Sequence, residues 1–239
     1  MTYCVGLCLR EGLLLLGDTR TNAGVDNISV FSKLQHVEVP GERVLGLCTA
    51  GNLAITQAVW GHLQEGVALD GRLAKLQDVP TMFQAARLVG AAVRAIYEQD
   101  GQALSQQNIG FDCSLLVGGQ IGAEPPRLFL VYSAGNFIEA TADTPFLQIG
   151  EHKYGKPILD RVIKPNTSLQ DAQKAVLLSM DSTLRSNLSV GMPLDLAVIA
   201  KDDCKVTQKR RIEAGDEAFR AMSEAWSRAL RDGFTRIVI

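Results

Sequence analysis

The sequence predicts an α+β fold of four layers, an αββα sandwich in which two antiparallel sheets lie between two layers of helices. Three observations predict it. Strand-like segments come in hairpin runs and do not alternate strictly with helices, which disfavours a doubly wound parallel sheet. Several of these segments are apolar on both faces and need cover on both sides. Helical periodicity appears in pairs of segments placed between the strand runs, which supplies two outer layers. Residues 1–239 are read as one such domain, with a C-terminal helical extension at about 214–232.

Residues 3–9 and 13–16 form two apolar runs around the turn signal Arg10-Glu11-Gly12, and the second run ends at Gly17-Asp18. Residues 31–39 and 43–48 form a second candidate pair around Pro40-Gly41-Glu42. The period then changes. Asn52 is placed to cap a helix carrying Ile55, Val59 and Leu63 on one stripe. Residues 66–79 read as a loop. Thr81 and Gln84 make a capping-box pattern ahead of a stripe of Met82, Ala86, Val89, Val93 and Ile96, with helix to about Gln99.

Strand character returns at 111–117, 127–132, 137–140 and 146–149, with Gly118-Gly119 and Ala134-Gly135-Asn136 as turns. A helix is expected to start near Glu151. A stronger one runs over 168–189 with Ala172, Val176, Met180, Leu184 and Leu188 on one side. Residues 194–200 and 205–212 read as strands. The last helix carries Phe219, Met222, Trp226 and Leu230 and stops near Gly233; its stripe is read most simply as core packing, with a subunit contact as the second reading.

Composition excludes several function classes. The chain has 46% hydrophobic and 21% charged residues, an ordinary globular balance. Net charge is −2, which gives no electrostatic case for nucleic acid or an anionic membrane. The short run Lys209-Arg210-Arg211 reads as a solvated edge. No apolar stretch reaches the ~20 residues that span a bilayer, and the N-terminus lacks a secretory pattern. A cytoplasmic location is expected, and Asn27, Asn166 and Asn187 in Asn-x-Ser contexts are then chance matches. Cys4 and Cys8 lie on one face of a strand about 13 Å apart, too far for a disulfide. All five Cys read as small buried hydrophobes, and three scattered His make a zinc site improbable. No cofactor and no metal is expected. Phosphate-binding Gly-rich loops and the Gly-x-Ser-x-Gly elbow are missing from the sequence.

The chemistry-bearing pattern lies at the start. Thr2 follows the initiator Met, and its side chain is small enough for aminopeptidase removal of Met1. That would leave a free α-amine beside its own hydroxyl. An α-amine has an ordinary pKa of ~7.7–8.0, so it can serve as a base near neutral pH without a His. Asp18 ends the second strand and returns towards Thr2. Lys33 begins the next strand; beside Thr2 it would lower the amine's proton affinity, with Asp18 holding it as an ion pair.

Thr2, the segment Gly17-Asp18-Thr19-Arg20 and Lys33 resemble the N-terminal threonine, Asp-x-Arg segment and lysine of proteasome β subunits. Thr49-Ala50-Gly51-Asn52 looks like the family's Gly-containing turn at the helix opening. The element order, through Leu194-Asp195-Leu196-Ala197-Val198-Ile199, also follows the family. The resemblance covers roughly residues 2–212. Finer features look like the bacterial Anbu branch, the ancestral beta subunit. They are Thr2-Tyr3-Cys4-Val5-Gly6, the segment 20–29 that begins Arg20-Thr21-Asn22, and the segment from Lys153 to Arg161.

The resemblance implies an N-terminal-nucleophile (Ntn) hydrolase. Thr2 would be nucleophile and base, Asp18 and Lys33 its electrostatic support with Arg20 nearby, and the Gly51 amide the oxyanion donor. Such a donor can contribute ~3–4 kcal/mol. Peptide bonds of a peptide or unfolded protein would be cleaved through an ester on Thr2. Thr21 and Thr49 would line the pocket for the residue before the cut. The resemblance also implies self-association into a ring or ring-like homo-oligomer, and it assigns no particular unfoldase partner.

Three departures stand out. The Thr-to-Lys spacing is one residue shorter than usual. Gly150-Glu151-His152 stands where the family offers a Ser near the amine, so Glu151 or His152 is expected there. In Ser186-Asn187-Leu188-Ser189, Ser189 aligns with the Ser of the family's Asp-x-x-Ser pair, but the Asp partner is missing. Two other function classes stay open: an Ntn amidohydrolase acting on a smaller or non-protein amide, and a catalytically weak proteasome-like scaffold.

Overall fold

Leucine alternation in the second strand sets the architecture. Leu14 and Leu16 point into one buried cluster, and Leu13 and Leu15 into another. Successive side chains of a strand face opposite ways, so this strand is covered on both sides. Each fully buried Leu contributes ~1.5–3 kcal/mol relative to exposure. The computed structural model describes residues 1–22 and 27–238. Part of the segment 20–29 singled out above therefore lies outside the described residues.

The chain opens with β1 (Tyr3–Leu9), β2 (Gly12–Asp18), β3 (Arg20–Asn22), β4 (Ile28–Val30), β5 (Leu34–Val39) and β6 (Arg43–Gly51). Next come α1 (Leu53–Glu65), β7 (Val67–Leu69), β8 (Arg72–Ala74) and α2 (Met82–Gln106). Four strands follow: β9 (Cys113–Ile121), β10 (Arg127–Val131), β11 (Phe137–Glu139) and β12 (Phe146–Gly150). The chain ends with α3 (Lys156–Val162), α4 (Leu169–Ser186), β13 (Leu194–Ala200), β14 (Gln208–Ile212) and α5 (Glu217–Arg236).

Two five-stranded sheets carry the fold, in the orders β12-β1-β2-β13-β14 and β11-β10-β9-β6-β5. All their pairings are antiparallel. Three buried clusters mark the three interfaces between layers. Leu13, Leu15, Val44, Cys48, Leu116 and Leu128 meet between the sheets. Helices α1 and α2 cover the outer face of the second sheet through Val59, Leu63, Val89 and Val93. Helices α3 and α4 cover the first sheet through Leu159, Ala172, Val176 and Met180. This is the αββα sandwich.

Side-chain caps start four of the helices, at Asn52, Thr81 and Ser168 where the sequence placed their starts and at Asp216. Asn52 Oδ1 accepts from Ala54 N at 3.0 Å, and Thr81 Oγ1 from Gln84 N at 3.1 Å. Ser168 Oγ accepts from Asp171 N at 3.1 Å, and Asp216 Oδ1 from Phe219 N at 2.8 Å. Each such cap contributes ~1 kcal/mol.

Several local expectations are corrected. Gly118 and Gly119 are not a turn; they lie inside β9. They mark close approach, since a Cβ at Gly119 would sit 2.2 Å from Val44 O. Residues 66–79 hold the β7–β8 hairpin and a short 3₁₀ turn at Leu76–Asp78. Helix α2 runs on to Gln106, through Gly101. No helix starts near Glu151; a turn fills the gap and α3 begins at Lys156, followed by Pro157, which suits a first helical turn. Leu188 lies beyond the end of α4 and is exposed. Helix α5 continues past Gly233, and only the first part of its stripe packs: Phe219 touches the core, Met222 and Trp226 are half-buried, and Leu230 and Phe234 are 53% and 78% exposed. Among the described residues, no helix is long and apolar enough to cross a membrane.

Candidate active site

Thr2 lies just ahead of β1, between the open ends of the two sheets. Antiparallel pairing of β1 with β2 sets Cys4 opposite Gly17, which carries the end of β2 back to the start of the chain. Asp18 is therefore brought beside Thr2 by register alone. Its Oδ1 accepts from Tyr3 N at 3.1 Å and from Lys33 Nζ at 2.8 Å. Its Oδ2 accepts from Gly191 N at 3.2 Å. Lys33 Nζ also donates to Arg20 O at 2.6 Å. Both members of this ion pair are buried. Burial lifts the Asp18 carboxyl above its usual value of 3.8, against the pull of Lys33 and the two backbone amides.

The opposite wall is built by two glycines. Gly51 ends β6 with φ +108°, and a Cβ there would lie 2.4 Å from Asp112 O. Gly150 ends β12 with φ +77°, and a Cβ would lie 1.9 Å from Thr2 O. Only glycine takes both the left-handed conformation and that approach without strain. The turn after Gly150 then lets Glu151 N donate to Thr2 O at 2.7 Å. Thr2 is held by its own backbone and is only 7% exposed, while Met1 projects outwards.

Thr2 opens onto two adjoining cavities. One, of about 60 Å³, includes Arg20, Thr21, Lys33, Thr49, Gly51 and Thr56 in its lining. The other, of about 410 Å³, includes Ala50, Gly51, Asp112, Ser114, Gly150 and Glu151. Met1 and Thr2 line both. In the smaller one, Thr21 Oγ1 and Asn22 Oδ1 are buried with no hydrogen-bond partner among the described residues. Among those residues, no three His, Cys, Asp or Glu side chains gather as a metal-holding group.

The structure thus brings Thr2, Asp18, Lys33, Gly51, Thr21, Thr49 and Glu151 to one cleft. Arg20 reaches it through its carbonyl, while its guanidinium turns away to donate to Leu188 O at 2.9 Å. Ser189 stands one shell further out, its N–H donating to Asn187 Oδ1 at 2.9 Å. His152 is exposed, sits 3.2 Å from Gly150 O through Nδ1, and lines a different groove with Lys156 and Asp160. Asp181 points instead to Arg185 within α4, with Nε–Oδ2 at 3.1 Å.

Sequence reasoning missed Asn187, Asp112 and Gly191. Asn187 sits inside a stretch already singled out for its missing Asp, and that gap was its only signal. Nothing local marks Gly191 as a donor to Asp18, because the contact spans the whole fold.

Known proteins share this fold. The profile of the proteasome subunit family matches residues 2–199. A solved Anbu (Gly-1) mutant from Hyphomicrobium sp. strain MC1 is 53% identical, covers 100% of this chain and 99% of its own, and superposes with a TM-score of 0.92. The chain belongs to the proteasome subunit family, in its Anbu branch. Anbu from Yersinia bercovieri is 46% identical with a TM-score of 0.91, over 99% of this chain and 97% of that one. A helical assembly of the Anbu complex from Pseudomonas aeruginosa is 45% identical, with the same coverage and TM-score. More distantly, proteasome subunit beta 2 of Pyrobaculum calidifontis is 26% identical over 204 residues, 84% of this chain and 90% of that protein. The cleft around Thr2 is thus set in a proteasome β-like fold.

Proposed function

We propose that this Anbu-branch chain is a threonine-type Ntn hydrolase that cleaves peptide bonds. Met1 is removed first, and the nitrogen of Thr2 becomes an α-amine. That amine takes the proton of the Thr2 hydroxyl as Oγ attacks the substrate carbonyl. The oxyanion is stabilised by the Gly51 amide, the amine segment leaves with a proton, and water hydrolyses the ester on Thr2. Lys33 stabilises the developing negative charge on Oγ, and Asp18 fixes Lys33. Thr21 and Thr49 shape the subsite for the residue before the cut.

The observation that carries this reading is the buried Asp18–Lys33 pair, whose Lys33 lines the same small cavity as Thr2. Two charges taken out of water are a poor way to stabilise a fold, and well-packed apolar residues often serve as well or better. Their placement beside a hydroxyl makes sense as chemistry. The test is hydrolysis of a denatured protein and of short peptide amides by the chain with a confirmed Thr2 N-terminus, against Thr2→Ala. Loss of both activities in Thr2→Ala supports the reading; equal activity in the two proteins defeats it.

The small cavity, about 60 Å³, favours a second reading, an amidohydrolase on a smaller amide. Turnover of small amides with none of denatured protein would select it. A scaffold role would show as full cellular function in Thr2→Ala.

The same proposal covers assembly. Chains self-associate into a ring or ring-like homo-oligomer in the cytoplasm, each chain being one domain with α5 as an appended helix. The exposed Leu230 and Phe234 on α5, with Ile237 just beyond its end, are the apolar surface offered to a neighbouring copy.

A further inference from the structure

Glu151 is tied to Thr2 more closely than any other acidic side chain in the larger cavity. Its backbone N–H donates to Thr2 O, which fixes its Cα within one hydrogen bond of that residue. Its side chain is only 17% exposed and lines the larger cavity together with Met1, Thr2 and Gly51. Oε2 accepts from Asn187 Nδ2 at 2.9 Å. Asn187 is itself buried, and its Oδ1 is occupied by Ser189 N, so its amide has one orientation and presents only N–H groups to Glu151. The same Nδ2 lies 4.0 Å from Met1 Sδ. The Glu151–Asn187 pair therefore reaches the residue whose removal exposes the Thr2 nitrogen. Oε1 of Glu151 has no hydrogen-bond partner among the described residues.

We propose that the Glu151 carboxyl, oriented by Asn187, is the partner of the Thr2 α-amine and positions it to take the hydroxyl proton. The inference rests on the threonine-hydrolase reading above. When the hydroxyl proton passes to the amine nitrogen, the ammonium so formed donates to the free oxygen of Glu151. Asn187 cannot ionise, so the carboxyl of this pair stands on the turn after β12. It does not come from the end of α4, where the exposed Ser186 occupies the position of the missing Asp. His152 and Ser189 do not line the larger cavity, and their contacts lie with Gly150 O and Asn187.

Charges face the amine from several elements. Lys33 stands on the Asp18 side, where Asp18 pairs with it. Asp112 faces the larger cavity from the loop before β9. Lys153, itself exposed, lies 3.8 Å from Glu151 Oε2. Arg20 faces the smaller cavity, but its guanidinium is engaged with Leu188 O. Glu151 lines the larger cavity beside Thr2, and Lys33 lines the smaller one.

The test follows the protonation of the amine directly. Full-length chain is released with Thr2 first from a fusion cut before that residue. Its N-terminal amine is competitively acetylated across pH, and the N-terminal peptide is quantified by mass spectrometry. The midpoint is expected to fall by about one pH unit in Glu151→Gln, since an opposite charge within ~4–6 Å favours the charged form by that order. Asn187→Asp, which adds a second carboxyl, is expected to raise it. Glu151→Asp, which keeps a shorter carboxyl, is expected to fall between wild type and Glu151→Gln. An unchanged midpoint in both Glu151→Gln and Asn187→Asp overturns the proposal, and either variant decides alone if the other fails to fold. The readout needs no turnover. A chain that shows the shift but hydrolyses nothing would sink the peptidase reading and leave this one standing.

Discussion

The two walls that flank Thr2 are built differently. On one side, Asp18 and Lys33 are buried, locked to each other at 2.8 Å, and further bonded to three backbone groups at Tyr3, Gly191 and Arg20. Asp18 ends β2 and Lys33 stands just before β5, two strands held in antiparallel register by β1, β13 and β6. On the other side, Glu151 stands on a turn and lines the cleft, with Asn187 buried behind it at the C-cap of α4. The first wall is a rigid fixture of the sandwich. The second is attached to it through a few hydrogen bonds and one tight glycine. On the proposed reading, support for the Thr2 hydroxyl comes from the core, whereas the groups proposed to position its amine come from connections.

The sharpest way to break this comparison is at its centre. Thr2→Ala removes the hydroxyl both walls serve, and peptide hydrolysis is expected to fall by ~10⁴-fold or more, since loss of a nucleophile removes covalent catalysis outright. Thermal melting should barely move.

Lys33→Met attacks the first wall. It leaves Asp18 buried without its cation, and stability should drop by ~3–5 kcal/mol in denaturant titration. A loss below about 1 kcal/mol would show that the pair is not the fixture described.

Gly150→Ala attacks the second wall. The added Cβ meets Thr2 O in a left-handed backbone conformation. The expected cost is ~1–3 kcal/mol, together with reduced activity, because Thr2 itself must shift.

Asp18 gives a smaller, pH-dependent signature. Burial sets its folded-state value above the unfolded value near 3.8. The folded chain then holds this proton more tightly. Stability contributed below the unfolded value is lost as pH rises through the raised folded value. Asp18→Asn should flatten that slope in denaturant titrations across the acid range.

The smallest effect on the folded chain lies far from both walls. Phe234→Glu on α5 should change the stability of the isolated chain by no more than ~0.5 kcal/mol, as is usual for exposed positions. Sedimentation should nevertheless show a smaller assembly, if that face meets a neighbouring copy.

Legibility in the sequence followed the same division. The β1–β2 hairpin, the leucine alternation of β2 and the caps at Asn52, Thr81 and Ser168 are local patterns, and the structure carries each of them. Hence the return of Asp18 to Thr2 could be read from two apolar runs and a turn. Gly118 and Gly119 misled, because glycine marks close backbone approach as readily as a turn, and only the partner strand distinguishes the two. The stripe of α5 misled because periodicity shows that one face is apolar and not what it meets. Asn187 and Gly191 were not legible as site residues. Their roles depend on contacts with Glu151 and Asp18, across 36 and 173 residues of chain.

The most direct test of the central claim is chemical. A peptide epoxyketone reacts with a hydroxyl and an α-amine carried by the same residue. The chain with a confirmed Thr2 N-terminus is incubated with this probe, and the adduct is located by mass spectrometry. One adduct per chain is expected, on Thr2, absent from Thr2→Ala and from chain that retains Met1. An unlabelled Thr2 on a folded, Met1-free chain, or an adduct elsewhere that survives Thr2→Ala, would contradict it.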